Sequence, residues 1–212
     1  DKTRVKAEAA LRAALESPAT RLLALFNGLP EGVKFIVDLR AELLELGREN
    51  KAAAQLAHDL RGLLAIWFDV GCTCDGYWSD LARTFSFGEP SARILELYRA
   101  MAEGERAGIE RTRPGMTGAD VFHLTVQAVR ENGEPRYRRH HVGHSIGAEV
   151  YEQPILNESS DVVIEPGMVI NIETPYYEFG VGAVHVENPF VVSDHGPNVL
   201  LTSGSPRQLV IL

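Results

Sequence analysis

The sequence predicts a mixed α/β protein made of two αβ halves of similar plan, whose hairpins form a shared sheet. Two observations carry this. Apolar residues recur at helical spacing through the first third of the chain. Two later stretches, LLAIWFDVGCTCDGYWSDLARTFSF and DVVIEPGMVINIETPYYEFGVGAVHVEN, read as strand, turn and strand, with helical segments between them. The resulting order is helices, hairpin, helices, hairpin.

Taken in order, TRVKAEAALRAALES, KFIVDLRAELLELG and AAAQLAHDLRGLL carry apolar residues at helical spacing. LLAIWFDVGC is a mostly apolar run, as expected of a buried strand. Asp75-Gly76 supplies a turn signal, LARTFSF returns as a second strand, and Pro90 ends the unit. SARILELYRAMAEGERAGIERTR is a long amphipathic helix stopped by Pro114-Gly115. Thr117 is the expected N-cap of the helix GADVFHLTVQAVREN, and Gly133 its expected C-cap. From Tyr137 onward the chain reads as β-rich, and no linker or low-complexity stretch divides it.

The 212 residues suffice for one large domain or two small ones. A net charge of -8 argues against nucleic acid or an anionic membrane as the main partner. No apolar run approaches the roughly 18 residues of a membrane span, and the charged start DKTRVKAEAALRAALES does not read as a signal peptide. Cys72 and Cys74 are not expected to pair with each other, so a reducing, cytoplasmic setting is expected.

Five residues have the composition of a two-metal site: Asp69, Asp80, His144, Glu173 and Glu187. Asp69 and Asp80 lie eleven positions apart around Asp75-Gly76, so a hairpin brings them back alongside each other. Glu173 follows the apolar run MVINI, and Glu187 follows GAVHV. Ionised carboxylates at strand positions are costly unless paired or bound to cations, and neighbouring ones must share protons or hold metal. Four carboxylates and an imidazole can hold two divalent ions and leave room for water. Such ions polarise a carbonyl and generate a hydroxide nucleophile, so attack on an amide or related carbonyl carbon is expected.

The motifs DVG...DGYWSDLARTF, HHVGHSIGAEVYEQP, EPGMVINIETPYY and GVGAVHVEN resemble those of the pita-bread metallohydrolases. That family includes methionine aminopeptidase, prolidase, aminopeptidase P and the metal-free creatinase, and the resemblance is closest to the Xaa-Pro dipeptidase branch. It runs from about Ile66 to the C-terminus. It implies a single catalytic domain over residues 1–212, with 1–63 a poorly matched helical part and 64–212 the metal-site part. The fold implied is two pseudo-symmetric halves around a curved, mainly antiparallel sheet.

By resemblance, Asp69 chelates one ion, Asp80 and Glu187 bridge both, and His144 and Glu173 complete the other's shell. Glu173 also passes protons to or from the attacking water. His140, the first histidine of His-x-x-Gly-His, is placed at the substrate or the transition-state oxygen, whereas His141 is expected to point away. Two divalent ions are implied, with Mn expected ahead of Co, Zn or Fe, together with a small peptide or amide substrate and a homodimer. Creatinase-like hydrolysis of a small amide or amidine, and a non-catalytic binding module on the same fold, are the alternatives.

The chain departs from the family at the expected substrate contacts. Tyr151 occupies the place of a second histidine, and His185 the place of the prolidase arginine two residues before the last ligand. A phenol donates a hydrogen bond but shuttles protons poorly near pH 7. Upstream, His58 is too close to Asp69 to match the family's loop histidine, and the segment Asn50–Leu64 reads as compressed. The larger members' N-terminal domain is missing, as expected of either a piece of a longer protein or a trimmed variant.

Overall fold

The computed structural model describes residues 45, 48, 50–52, 65–86 and 88–211. The three helices expected in the first third lie almost wholly outside these residues. The rest of the chain forms a sheet of eight strands with two helices packed against it, and a separate two-stranded ribbon.

Strand β1 (Ala65–Cys74) and strand β2 (Tyr77–Ser86) form the first expected hairpin. Its turn is Asp75-Gly76, with φ of 51° and 85°. Both residues are left-handed, as a two-residue type I′ connection demands, and Asp-Gly is a favoured pair for it. The expectation of a buried first strand needs correction, because Val70–Cys74 is exposed among the described residues. Cys72 and Cys74 are free thiols. Residues two apart on a strand share a face, and their roughly 6.6 Å spacing lies near the outer limit for a disulfide.

Helix α1 (Ala92–Arg111) starts where the Ser91 hydroxyl accepts a bond from the Ile94 amide. Helix α2 (Gly118–Glu131) starts in a reciprocal capping box between Thr117 and Asp120, which satisfies two otherwise orphaned amides. The helices can approach closely because α1 presents Gly104 and Gly108. A Cβ on Gly104 would sit 2.1 Å from Val129 Cγ2, and one on Gly108 would sit 2.7 Å from Thr125 Oγ1. Ile94, Leu97 and Met101 of α1 and Val121, Val126 and Val129 of α2 are buried in one core with Ile170, Ile172 and Phe190 of the sheet.

The remaining strands are β3 (Gly143–Ser145), β4 (Glu152–Ile155), β5 (Val169–Glu173), β6 (Tyr176–Glu178), β7 (Gly182–Val184), β8 (Glu187–Val191), β9 (Val199–Leu200) and β10 (Val210–Ile211). The main path across the sheet is β1-β2-β8-β5-β3-β4, and all its neighbours are antiparallel. β10 adds a parallel pairing to β2.

The second expected hairpin is one continuous ribbon with a break. β5 pairs β8 with Glu173 opposite Glu187, and β6 pairs β7 with Tyr176 opposite Val184, so the register carries through. The break falls at Pro175, which has no amide to donate to a ladder. Among the described residues, no helix is long and apolar enough to cross a membrane.

Candidate metal centre

Strand register alone gathers the site. Cross-strand partners share a face of the sheet, and so do alternate residues along a strand. Asp80 pairs Gly71, two residues from Asp69, and Asp69 pairs Ala82. Ala82 pairs Glu187, Glu187 pairs Glu173, and Asn171 pairs His144. All five expected ligands therefore occupy one face of neighbouring strands, together with Asn171. Ala82 is fully buried between Asp69 and Glu187, where its small side chain leaves the space open.

Gly143 explains the Gly-His pair. Its φ is 142°, and a Cβ there would lie 1.9 Å from the carbonyl oxygen of Asn171. Only glycine lets β3 come this near to β5 and bring His144 into the site. The His144 Nδ1 lies 3.0 Å from the Ser145 carbonyl, which makes Nδ1 the protonated nitrogen and leaves the Nε2 lone pair facing inward. That Nε2 is 3.9 Å from both Asp80 Oδ2 and Glu187 Oε1. The Asn171 amide donates to Glu187 Oε1 at 2.7 Å.

The donors fall into two groups that share Glu187. Asp69, His185 and Glu187 form one, and Asp80, His144 and Glu187 the other, with the donor atoms of each group within 4.8 Å of one another. Glu187 is buried and Asp69 partly exposed, so one side of the site opens to solvent. The expectation that Asp69 sits in a buried strand is corrected accordingly.

His141, expected to point away, has its Nδ1 3.0 Å from Glu173 Oε1. His140 is exposed and makes no hydrogen bond or ion pair among the described residues. The two residues precede β3 in irregular chain, so strand alternation does not apply to them. The Tyr151 ring stacks on His144 at 3.8 Å. Burial, then the nearby carboxylates, push the Tyr151 phenol up to about 12, so it is neutral at ordinary pH. His185 lies against the ligand carboxylates. Alternation from Glu173 and Glu187 points to Asn171 and His185, each two residues upstream of a candidate ligand.

The electrostatics fit cations. Burial, then Asp69 and Glu173, raise the Asp80 carboxyl from 3.8 to about 7. Burial, then Glu173, Asp80 and Asp69, push Glu187 well above its ordinary value. For Glu173 burial acts upward, but His141 and His185 outweigh it and hold the carboxyl at about 2. His144 Nε2, both ring nitrogens of His185, and Asn171 Oδ1 are buried without a hydrogen-bond partner among the described residues. Desolvated acids and unmatched imidazole nitrogens on one face are what divalent ions would satisfy.

This cluster makes stability depend on pH. Folding favours the protonated form of Asp80, so its contribution is whole below about 3.8 and is lost as pH rises through about 7. Glu173 acts in the opposite direction only at lower pH, since its carboxyl is held at about 2. Chelator-treated protein is therefore expected to melt at a lower temperature at pH 8 than at pH 5, and added Mn at pH 8 to reverse the loss. A melting temperature that is flat or rises over this interval would remove Asp80 from a desolvated acidic cluster.

Comparison with known proteins agrees with this geometry. Residues 1–68 match the family model of the malonyl-CoA decarboxylase N-terminal domain, and the segment expected to be compressed, Asn50–Leu64, lies within that match. The uncharacterized peptidase YqhT of Bacillus subtilis is 34% identical over 147 residues, covering 69% of this chain and 41% of YqhT. The structure of an Xaa-Pro dipeptidase from Bacillus anthracis superposes with a TM-score of 0.65 at 36% identity, covering 70% of this chain and 41% of that one. Prolidase from Pyrococcus furiosus gives 0.62 at 28% identity, over 67% and 42%. The chain thus spans about two-fifths of the length of these relatives, and its mixed α/β, mainly antiparallel architecture is the pita-bread fold they share. The model of metallopeptidase family M24 matches residues 48–194, more than half of the chain, and the chain belongs to that family.

Proposed function

We propose that residues 64–212 are the metal-site part of a dinuclear hydrolase of peptide-like C–N bonds, of the Xaa-Pro dipeptidase type. The observation that carries this reading is the pair of three-residue donor groups joined at Glu187, on one face of the sheet. The likeness to an Xaa-Pro dipeptidase and a prolidase supports the substrate class. Asp69 and His144 would each help hold one ion, Asp80 and Glu187 would hold both, and Glu173 would complete the shell on the His144 side. When bound, the ions polarise the scissile carbonyl and make water nucleophilic near neutral pH.

The chain's own groups handle orientation and protons. Asn171 holds the Glu187 carboxylate in one rotamer. Glu173 stays anionic with its Oε1 3.0 Å from His141 Nδ1, so a proton taken up at Glu173 Oε1 can pass to that nitrogen when it carries none. His141 is thus placed beside the proton-passing glutamate, whereas the resemblance places His140 at the substrate or the transition-state oxygen. Tyr151 covers His144 and offers a neutral hydroxyl for hydrogen bonding. Mn is the proposed ion, and a homodimer in a cytoplasmic setting belongs to the same reading.

The test is a screen of Xaa-Pro dipeptides and small cyclic amides against protein loaded in turn with Mn, Co, Zn and Fe. Turnover of an Xaa-Pro dipeptide that vanishes with chelator and returns with metal is expected. Turnover of only the cyclic amides would favour a creatinase-like substrate. No turnover with both ions bound would leave a binding module.

A further inference from the structure

We propose that His185 is a sixth protein ligand of the metal centre, so that each of the two ions carries one imidazole. This rests on the two-metal reading of the site. His185 is 2% exposed, and neither of its ring nitrogens has a hydrogen-bond partner among the described residues. A buried polar atom left unmatched is destabilising, so a histidine with two such atoms is poorly explained as packing.

The ring is also held in place. Its backbone amide donates to Thr84 Oγ1 at 2.9 Å, and the Thr84 hydroxyl donates to its carbonyl at 2.9 Å. The Trp67 ring packs edge-on against the imidazole at 5.3 Å.

The nitrogens face the carboxylates. Nδ1 is 3.9 Å from Asp69 Oδ2, and Nε2 is 3.6 Å from Glu173 Oε2 and 3.7 Å from Glu187 Oε2. These separations are too long for hydrogen bonds. One ion takes only one of the two nitrogens, and with one donor atom each Asp69, His185 and Glu187 lie within 4.8 Å of one another, against the roughly 3.0–3.4 Å between two donors about 2.1 Å from one centre. The Asp69, His185 and Glu187 group then mirrors the Asp80, His144 and Glu187 group: a carboxylate, an imidazole and the shared glutamate. The second imidazole is the part of the donor set that suits Zn or Co, beside the carboxylates that suit Mn.

The test is calorimetric titration of metal-free protein with Zn and with Mn, for wild type, His185→Asn and His185→Arg, with folding checked by far-UV circular dichroism. Cobalt-loaded samples are examined by NMR for hyperfine-shifted imidazole N–H signals. Wild type is expected to show such signals from two histidines and His185→Asn from one. His185→Asn is expected to weaken Zn at one of two sites by about 100-fold, and Mn by about 10-fold, the scale on which metal sites respond to loss of supporting groups. His185→Arg keeps a positive charge but no ligand, and is expected to lose Zn as His185→Asn does. Signals from a single histidine in wild type, or unchanged Zn affinity in either variant, would overturn the assignment. Wild-type protein that takes up no divalent ion would instead defeat the metal centre itself, so the two failures are distinguishable.

Discussion

Glu187→Gln is expected to reduce hydrolysis by at least about 1,000-fold, equivalent to ~4 kcal/mol of transition-state stabilisation, while making the metal-free fold more stable. Both effects come from one carboxylate. Glu187 belongs to both donor groups, so its loss would remove a donor from each. It also faces Glu173 directly across the β5–β8 ladder, with Asp80 and Asp69 close enough to raise its pKa. Like charges opposite one another destabilise a sheet, and a neutral amide relieves that repulsion. The glutamine oxygen can still accept from Asn171, so packing is kept. The metal-free variant is expected to melt a few degrees above metal-free wild type at pH 8, since about 1 kcal/mol shifts a domain of this size by roughly 2–4 °C. Retained turnover, or retained binding of two ions, would remove Glu187 from the shared position.

Arg83→Met is expected to destabilise the protein by about 3–5 kcal/mol, the range for breaking a buried charged network on one side. Arg83 is 5% exposed and sits on the face of β2 opposite the ligands. Its Nη1 donates to the carbonyls of Ala82 and Glu187, both at 2.7 Å. Those two residues are the register pair joining β2 to β8. Nη2 donates to Asn188 Oδ1 at 2.6 Å, which also accepts from Thr202. Nε reaches Ser205 Oγ and the Pro206 carbonyl. Glu105 of α1, 1% exposed, completes the network through Asn188 at 2.6 Å and Arg207 at 2.7 Å.

The seam between the hairpin carrying Asp69 and Asp80 and the strands carrying Glu173 and Glu187 is therefore clamped from behind by a guanidinium. Methionine fills similar volume but removes the guanidinium's bonds to those carbonyls. The denaturation midpoint should fall accordingly. Adding Glu105→Leu should deepen the loss, because Glu105 keeps its bonds to Arg207 and Asn188 when Arg83 is gone. A change within about 0.5 kcal/mol in Arg83→Met would show that the ladder alone holds the seam.

The gathering of the five candidate residues on one face was legible because their spacing reflects strand geometry. The Asp75-Gly76 turn announces its own type, and an eleven-residue separation across it returns both aspartates to one face. Thr117 and Asp120 declare a helix start through a local pairing. Gly143 beside His144 could be read as a motif, although its reason, the approach to Asn171, needs β5 in place.

What the sequence hid is what depends on distant contacts. His140 and His141 differ by one position in irregular chain, and only the tertiary fold shows that His141 faces Glu173. Asp69 read as buried because the run before it is apolar, yet the exposed length of β1 leaves it partly open. Pro175 breaks the ribbon within an otherwise kept register. The Arg83 clamp joins residues as far apart as Arg83 and Arg207, with no local pattern to reveal it.

Metal stoichiometry is the most direct measurement. Protein purified without chelator, then equilibrated with Mn, Co, Zn or Fe and freed of excess, is assayed for bound metal by elemental analysis. Four carboxylates with shared protons on one sheet face predict two divalent ions per chain, falling below two in Glu187→Gln. No more than trace metal after exposure to all four ions would contradict a metal centre in this protein.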